Sequence, residues 1–167
     1  MAGLGGLARQ LGVIVVASVL IVFAFGTGMA AENAATPPAP TAEQKQVLSA
    51  NEAFYAAFRG RDLKAMDAIW AQKAEVAVIH PGWPSLNGRK NVMESWRGIM
   101  DSGAPNIHSV DPKAYIMGDS AFVICYEDVG GGFLIATNIF VREGGTWRMV
   151  HHQAGPTPVT PNKGPRI

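Results

Sequence analysis

Two segments near the carboxyl end constrain the fold of this chain more than any other feature. Residues 133–142 and 146–154 are rich in the β-branched and aromatic side chains that strands prefer. Gly144 and Gly145 lie near the junction of the two segments, and glycine readily adopts the positive φ angles that a tight hairpin turn requires. The pattern therefore predicts a long β-hairpin as the frame of the domain.

The register of this hairpin predicts which side chains meet. If the chain turns directly at the two glycines, Asn138 lies opposite His151 and Phe140 lies opposite Met149. Successive side chains of a strand point to opposite faces, so one face is expected to carry Ala136, Asn138, Phe140, Trp147, Met149 and His151. An amide and an imidazole among apolar neighbours each need a hydrogen-bond partner or a ligand. This face is therefore a candidate for the functional site.

Helical patterns precede the strands. Thr41 and Gln44 have the spacing of a capping box, and Asp62 is placed to cap a second, shorter helix. The helical period of apolar residues returns over residues 88–100, whereas from residue 107 onward the period is two. Helices followed by strands predict an α+β fold, in which a curved and mostly antiparallel sheet packs against the helices.

The amino-terminal segment has a secretory pattern. Residues 11–25 are an uninterrupted run of apolar and small side chains, which follows Arg9 and precedes a cleavage-site pattern at residues 28–31. We expect residues 1–31 to be a cleaved signal peptide and the protein to be periplasmic or secreted. The alternative is an uncleaved membrane anchor that holds the domain outside the cytoplasm.

Proline-rich segments bound the patterned part of the chain. Their composition predicts a linker at residues 32–41 and a flexible tail at residues 157–167. The folded domain is accordingly expected to span residues 42–156.

Composition excludes several classes of function. The formal net charge of +1 falls to about zero without residues 1–31, and no cluster of lysine and arginine remains, so nucleic acid is not an expected partner. Cys125 is the one cysteine, so no intramolecular disulfide can form, and we expect an inert core thiol. The histidines lack the compact spacing of a metal site. Neither a metal nor a cofactor is expected, and a membrane is a partner only through an uncleaved amino-terminal segment.

The order of helices and strands across residues 42–156 resembles the SnoaL-like and ketosteroid isomerase-like branch of the nuclear transport factor 2-like superfamily. The segments that carry the likeness are 52–59, 62–71, His80-Pro81-Gly82, 88–96 and 147–152. The resemblance implies a cone, in which a strongly curved sheet wraps around the first helix and leaves a pocket at the open end. Because this superfamily hosts isomerases, cyclases, dehydratases and association modules, it leaves the activity open.

The resemblance also implies roles for single residues. In ketosteroid isomerase-like enzymes a general-base aspartate precedes a proline, and His80 before Pro81 holds that position here. Asn138 matches a protonated aspartate that donates a hydrogen bond to the oxyanion, and an amide can donate as well. The tyrosine donor of the first helix is replaced by Phe54, with Tyr55 turned away by about 100°. Steroid isomerase activity is therefore not expected.

These considerations define the expected site. The candidate catalytic residues are His80, Asn138 and His151, which we expect to converge on one pocket. The candidate ligand-binding residues are Phe54, Tyr55, Trp83, Trp96, Glu127, Phe140 and Met149.

Three functions fit the sequence. The favoured one is binding of a small, largely apolar molecule in the conical pocket. The second is an isomerase, cyclase or dehydratase that uses His80 as general base. The third is a homodimeric association module without chemistry. A homodimer through the outer sheet face is expected in any case, since that face would otherwise expose Ile135, Thr137, Ile139, Val141 and Val150.

Overall fold

The computed structural model of the protein describes residues 38–103 and 105–161. The predicted signal peptide or anchor, most of the predicted linker and the end of the predicted tail lie outside the described residues. No helix among the described residues combines the length and the hydropathy that a bilayer crossing requires.

The described residues form three helices and a six-stranded sheet. In chain order the elements are α1 (Ala42–Gly60), α2 (Leu63–Ile69), β1 (Ala77–Ile79), β2 (Leu86–Asn87), α3 (Arg89–Asp101), β3 (His108–Met117), β4 (Ser120–Asp128), β5 (Phe133–Glu143) and β6 (Thr146–Thr157). The predicted α+β class is confirmed.

Both predicted amino-terminal helix caps are present. The Thr41 hydroxyl oxygen accepts a hydrogen bond from the Gln44 backbone N–H at 3.2 Å, and the Gln44 side chain accepts one from the Thr41 N–H at 2.8 Å. The Asp62 carboxylate accepts a hydrogen bond from the Ala65 N–H at 2.9 Å. These contacts satisfy backbone donors that a helix start leaves without intrahelical partners. Local side chains therefore set where α1 and α2 begin.

The strands lie in the order β2-β1-β6-β5-β4-β3 and form an open sheet. Neighbouring strands are antiparallel except β1 and β6, which are parallel. The register of β3 against β4 shifts between Val110 and Lys113, and that of β5 against β6 shifts between Ile139 and Phe140. Such irregularities bend a strand and increase its twist. The curved sheet packs its inner face against α1, whose Val47, Phe54 and Phe58 belong to the same core as the inner residues of β4 to β6.

The predicted hairpin turn is correct. Glu143 pairs with Thr146 and Phe140 pairs with Met149. Gly144 and Gly145 have φ angles of 57° and 81°, a region that costs other residues more. The two glycines thus fix the register of the first few residue pairs.

The predicted pairing of Asn138 with His151 is wrong, because the register changes further along the hairpin. Phe140 pairs with Met149, but the next residue of β5, Ile139, pairs with His151, so Val150 is an extra residue of β6. Asn138 therefore pairs with His152. His152 is consequently buried on the inner face, and the adjacent His151 points to the outer face. This one extra residue places His152 on the inner face instead of His151.

The strand β6 is also longer than predicted. Gly155 and Pro156 pair with Ile135 and Leu134 of β5, and β6 ends at Thr157. The sequence pattern predicts a strand only as far as residue 154. A proline fits this position because its missing N–H removes only one bond near the end of the strand.

Candidate functional site

A cavity of about 210 Å³ lies between α1, α3 and the inner face of the sheet. It is lined by Phe54, Tyr55, Phe58, His80, Pro81, Trp83, Trp96, Ile99, Pro105, Ile107, Glu127, Val129, Leu134 and His152. Most of these side chains are aromatic or aliphatic, and none is a lysine or an arginine. The lining therefore suits an apolar molecule, with its polar groups confined to a few positions.

His80 lies directly after β1 and is buried in the cavity wall. Its Nε2 is 2.9 Å from the Ser95 hydroxyl oxygen, and that hydroxyl donates its own hydrogen to the Val92 carbonyl at 2.8 Å. Ser95 can therefore only accept from the imidazole, so Nε2 carries the proton and Nδ1 has the lone pair. Ser95 fixes both the tautomer and the orientation of the ring.

Aromatic rings surround the His80 imidazole. The ring of Trp96 lies edge-on with its centroid 4.6 Å away, and that of Trp83 lies 5.1 Å away. Burial lowers the pKa of His80 to about 4, because water is not available to solvate the charged form. His80 is therefore neutral at physiological pH and is a weak base.

A buried polar network of Asn51, Tyr55, Glu127, Asn138 and His152 crosses the interior behind the cavity. The Tyr55 hydroxyl donates to Glu127 Oε1 at 2.8 Å. The Asn138 amide donates to Asn51 Oδ1 at 2.7 Å and to the Tyr55 oxygen at 3.2 Å. His152 Nδ1 is 2.6 Å from Asn138 Oδ1. Because an amide oxygen only accepts, His152 carries its proton on Nδ1 and the lone pair on Nε2.

Glu127 and His152 bring the polar network to the cavity surface. Glu127 Oε1 and His152 Nε2 are 3.8 Å apart, and both residues line the cavity. Burial raises the pKa of Glu127 to about 7, although the Tyr55 hydrogen bond opposes the shift. Burial, with smaller contributions from His80 and His151, lowers the pKa of His152 to about 3. Near neutral pH this wall thus contains a neutral imidazole beside a carboxyl group that can gain or lose a proton.

The structure brings together some of the predicted site residues. Phe54, Tyr55, Trp83, Trp96 and Glu127 line the cavity, as does His80. Tyr55 does so although the resemblance implies that Phe54 holds the tyrosine position and that Tyr55 is turned away from it. The inner face of α1 is broad enough for both adjacent aromatic side chains to be buried.

The remaining predicted residues lie elsewhere. Asn138 is fully buried behind the cavity, where it bonds to Tyr55 and His152. Phe140 and Met149 are fully buried in the core and are absent from the cavity wall. His151 is on the outer face, so of His80, Asn138 and His151, which were expected to converge on one pocket, only His80 lines the cavity.

Sequence reasoning missed His152, because the bulge that turns it inward has no clear local signal. It also missed Ser95, which orients His80. Phe58 could have been found, since it follows Phe54 by four residues on the same face of α1. The other missed lining residues are Pro81, Ile99, Pro105, Ile107, Val129 and Leu134. Across residues 38–103 and 105–161, no group of three or more histidine, cysteine, aspartate or glutamate side chains could hold a metal ion.

The chain is similar to proteins of one fold family. The SnoaL-like domain family matches residues 47–159. A candidate dehydratase of the NTF2-like family from Streptomyces avermitilis is 30% identical, with a TM-score of 0.64 over 70% of this chain and 97% of that chain. A candidate calcium/calmodulin-dependent protein kinase type II association domain from Thiobacillus denitrificans is 34% identical, with a TM-score of 0.57 over 73% of this chain and 99% of that chain.

A longer plant protein is similar to part of this chain. F-box protein SKIP8 of Arabidopsis thaliana is 31% identical over 118 residues, which are 68% of this chain and 50% of the relative. The chain thus spans about half the length of this curated relative.

Proposed function

This chain belongs to the SnoaL-like domain family, and we propose that it binds a small, neutral and largely apolar molecule in the cavity beside α1. The observation that carries the proposal is the lining, in which aromatic and aliphatic side chains surround a polar end made by Glu127 and His152. Pockets of this composition gain affinity from apolar contact and orient the ligand through a few polar groups.

The size of the cavity limits the ligand. An engineered cavity of about 150 Å³ binds benzene, and this cavity measures about 210 Å³. A molecule with two fused six-membered rings is therefore a reasonable size for the ligand.

The charge of the lining excludes anions. Glu127 becomes negative as the pH rises through its pKa of about 7, and the lining contains no lysine or arginine. A ligand carboxylate would have no cation to pair with and would be repelled by Glu127. The ligand is therefore not an anion, and the largely apolar lining favours an uncharged molecule over a cation, because a charged group loses its hydration there.

Tetralin, a neutral bicyclic hydrocarbon, provides a test of this proposal. We expect saturable binding to the full chain, and we expect Leu134→Trp to weaken it at least about tenfold because the indole fills the cavity. Lys64→Trp is the control, since Lys64 is exposed on α2 and is absent from the cavity wall. Calorimetric titration measures the affinity of wild type and of both variants for tetralin. Equal affinity of wild type and Leu134→Trp would contradict the proposed site.

A second candidate function is proton-transfer catalysis of the isomerase or dehydratase type. The observation that favours it is the cavity position of Glu127, whose pKa of about 7 suits a general acid or base better than the pKa of His80 does. In this version Glu127 replaces His80 as the proton carrier. Loss of α-protons from bound tetralone in heavy water, followed by NMR, would distinguish this function from binding alone.

We also propose that the outer sheet face forms a homodimer. Tyr115, Ile124 and Ile135 are 44%, 37% and 38% exposed on this side, and the rings of Tyr115 and Phe122 stack at 4.7 Å. Neighbouring apolar side chains exposed in this way are typical of an interface. Sedimentation should give about twice the monomer mass for wild type and the monomer mass for Ile124→Asp. Lys64→Asp on α2 should remain dimeric; a monomeric wild type at micromolar concentration would exclude the dimer.

A further inference from the structure

We propose that the Glu127 and His152 end of the cavity recognises a hydroxyl group, so that the ligand is an apolar alcohol or phenol. This inference rests on the proposed binding function and deepens it, because it names the polar group that the cavity accepts. The hydroxyl oxygen would lie between Glu127 Oε1 and His152 Nε2.

The distance between the two atoms suits a bridging oxygen. At 3.8 Å, Glu127 Oε1 and His152 Nε2 are too far apart for a direct hydrogen bond. One oxygen atom can lie about 2.8 Å from both of them at once, which is an ordinary hydrogen-bond length. Both residues are 3% exposed or less, so water cannot freely solvate either group, and an unpaired polar atom there is costly.

The hydrogen bonds already present decide what the bridging group must do. His152 Nδ1 donates to Asn138, which leaves Nε2 able only to accept. Tyr55 uses its hydrogen on Glu127 Oε1, and burial keeps the pKa of Tyr55 well above its usual value, so it stays a donor. Below pH 7 the Glu127 carboxyl carries a proton that it can donate. The ligand group must therefore accept from Glu127 and donate to His152.

A hydroxyl group meets both requirements, whereas a ketone, an ether, a hydrocarbon and a carboxylate do not. A ketone or an ether oxygen accepts from Glu127 but leaves the His152 lone pair without a donor. A hydrocarbon leaves both groups without a partner. A carboxylate adds a negative charge where no lysine or arginine lines the wall. The expected order of affinity is thus alcohol above ketone and hydrocarbon, with the carboxylate weakest.

Three probes with one carbon skeleton test this order. The full chain is titrated calorimetrically at about pH 6, where Glu127 is protonated, with α-tetralol, α-tetralone and tetralin. We expect α-tetralol to bind about tenfold more tightly than either of the other two, since one additional net hydrogen bond contributes about that factor.

A pair of variants locates the preference. Glu127→Met keeps the length of the side chain but cannot donate a hydrogen bond. The roughly tenfold preference for α-tetralol should therefore disappear, while tetralin should still bind. Glu75→Met, at an exposed acidic position outside the cavity, should keep the full preference. Circular dichroism checks that both variants are folded.

The outcomes separate the two proposals. If α-tetralol binds no more tightly than α-tetralone, hydroxyl recognition is overturned and the apolar binding site stands. Hydroxyl recognition by Glu127 and His152 is also overturned if the preference survives in Glu127→Met, because another part of the cavity must then produce the preference. The apolar binding site stands in that case too. If none of the three probes binds to wild type, both proposals are overturned.

Discussion

Replacement of Asn138 by leucine is expected to lower the free energy of unfolding by roughly 3–5 kcal/mol. Leucine has the same branching and the same number of non-hydrogen side-chain atoms as asparagine, so among apolar residues it changes the shape of the site beside Val123 on β4 least. The loss comes from hydrogen bonds. His152 Nδ1 loses its acceptor at 2.6 Å and Asn51 Oδ1 loses its donor at 2.7 Å, and each buried polar group left unpaired costs about 1–3 kcal/mol.

The matched control for this substitution is Thr137→Leu. Thr137 is the preceding residue of β5 and lies half-buried on the outer face, away from the polar network. Its replacement should change stability by no more than about 0.5 kcal/mol. Urea unfolding of both variants measures the difference. A loss below about 1 kcal/mol for Asn138→Leu would mean that the network contributes little to stability.

Replacement of Glu127 by glutamine is expected to make stability depend on pH in a new way. Relative to wild type, Glu127→Gln should gain roughly 2–3 kcal/mol as the pH rises from about 5 to about 8. Burial raises the pKa of Glu127 to about 7 in the folded protein, whereas the unfolded carboxyl ionises at its ordinary value. Between these two pKa values the folded state holds more protons than the unfolded state. The contribution of Glu127 to the free energy of unfolding of wild type therefore falls as the pH rises. Glutamine does not ionise, so the variant does not show this fall.

The buried histidines act in the opposite direction. Burial lowers the pKa values of His80 and His152 to about 4 and about 3, below the ordinary value of 6.5. Between the lowered and the ordinary values the unfolded state holds more protons, so the contribution of these histidines to stability rises with pH in that window. Both histidines are present in wild type and in the variant, so their effects cancel in the difference. Urea unfolding of the two proteins at several pH values gives this difference. A constant difference would show that Glu127 is ionised throughout the range.

These expectations concern the same polar network that would recognise the ligand. Asn138 holds His152 in one tautomer and Tyr55 occupies one lone pair of Glu127. Neither Asn138 nor Asn51 lines the cavity, yet both determine which atoms of the wall can donate or accept. A substitution in the interior can thus alter ligand selectivity without any contact with the ligand.

The sequence alone was sufficient for features that depend on neighbouring residues. Thr41 with Gln44 and Asp62 with Ala65 form hydrogen bonds within one helical turn, so their spacing predicts where α1 and α2 begin. Gly144 and Gly145 specify the hairpin turn through their own backbone freedom. The period of apolar residues separates helices from strands and so predicts the α+β class.

The tertiary structure decided which side chains share the cavity. Side chains alternate along a strand, so the single extra residue Val150 places His152 inside and His151 outside. The parallel pairing of β1 with β6 brings His80 to the same wall, although the two strands are distant in sequence. The pKa of Glu127 likewise depends on burial by α1 and the sheet together. Register and burial depend on contacts between distant segments, which no local pattern specifies.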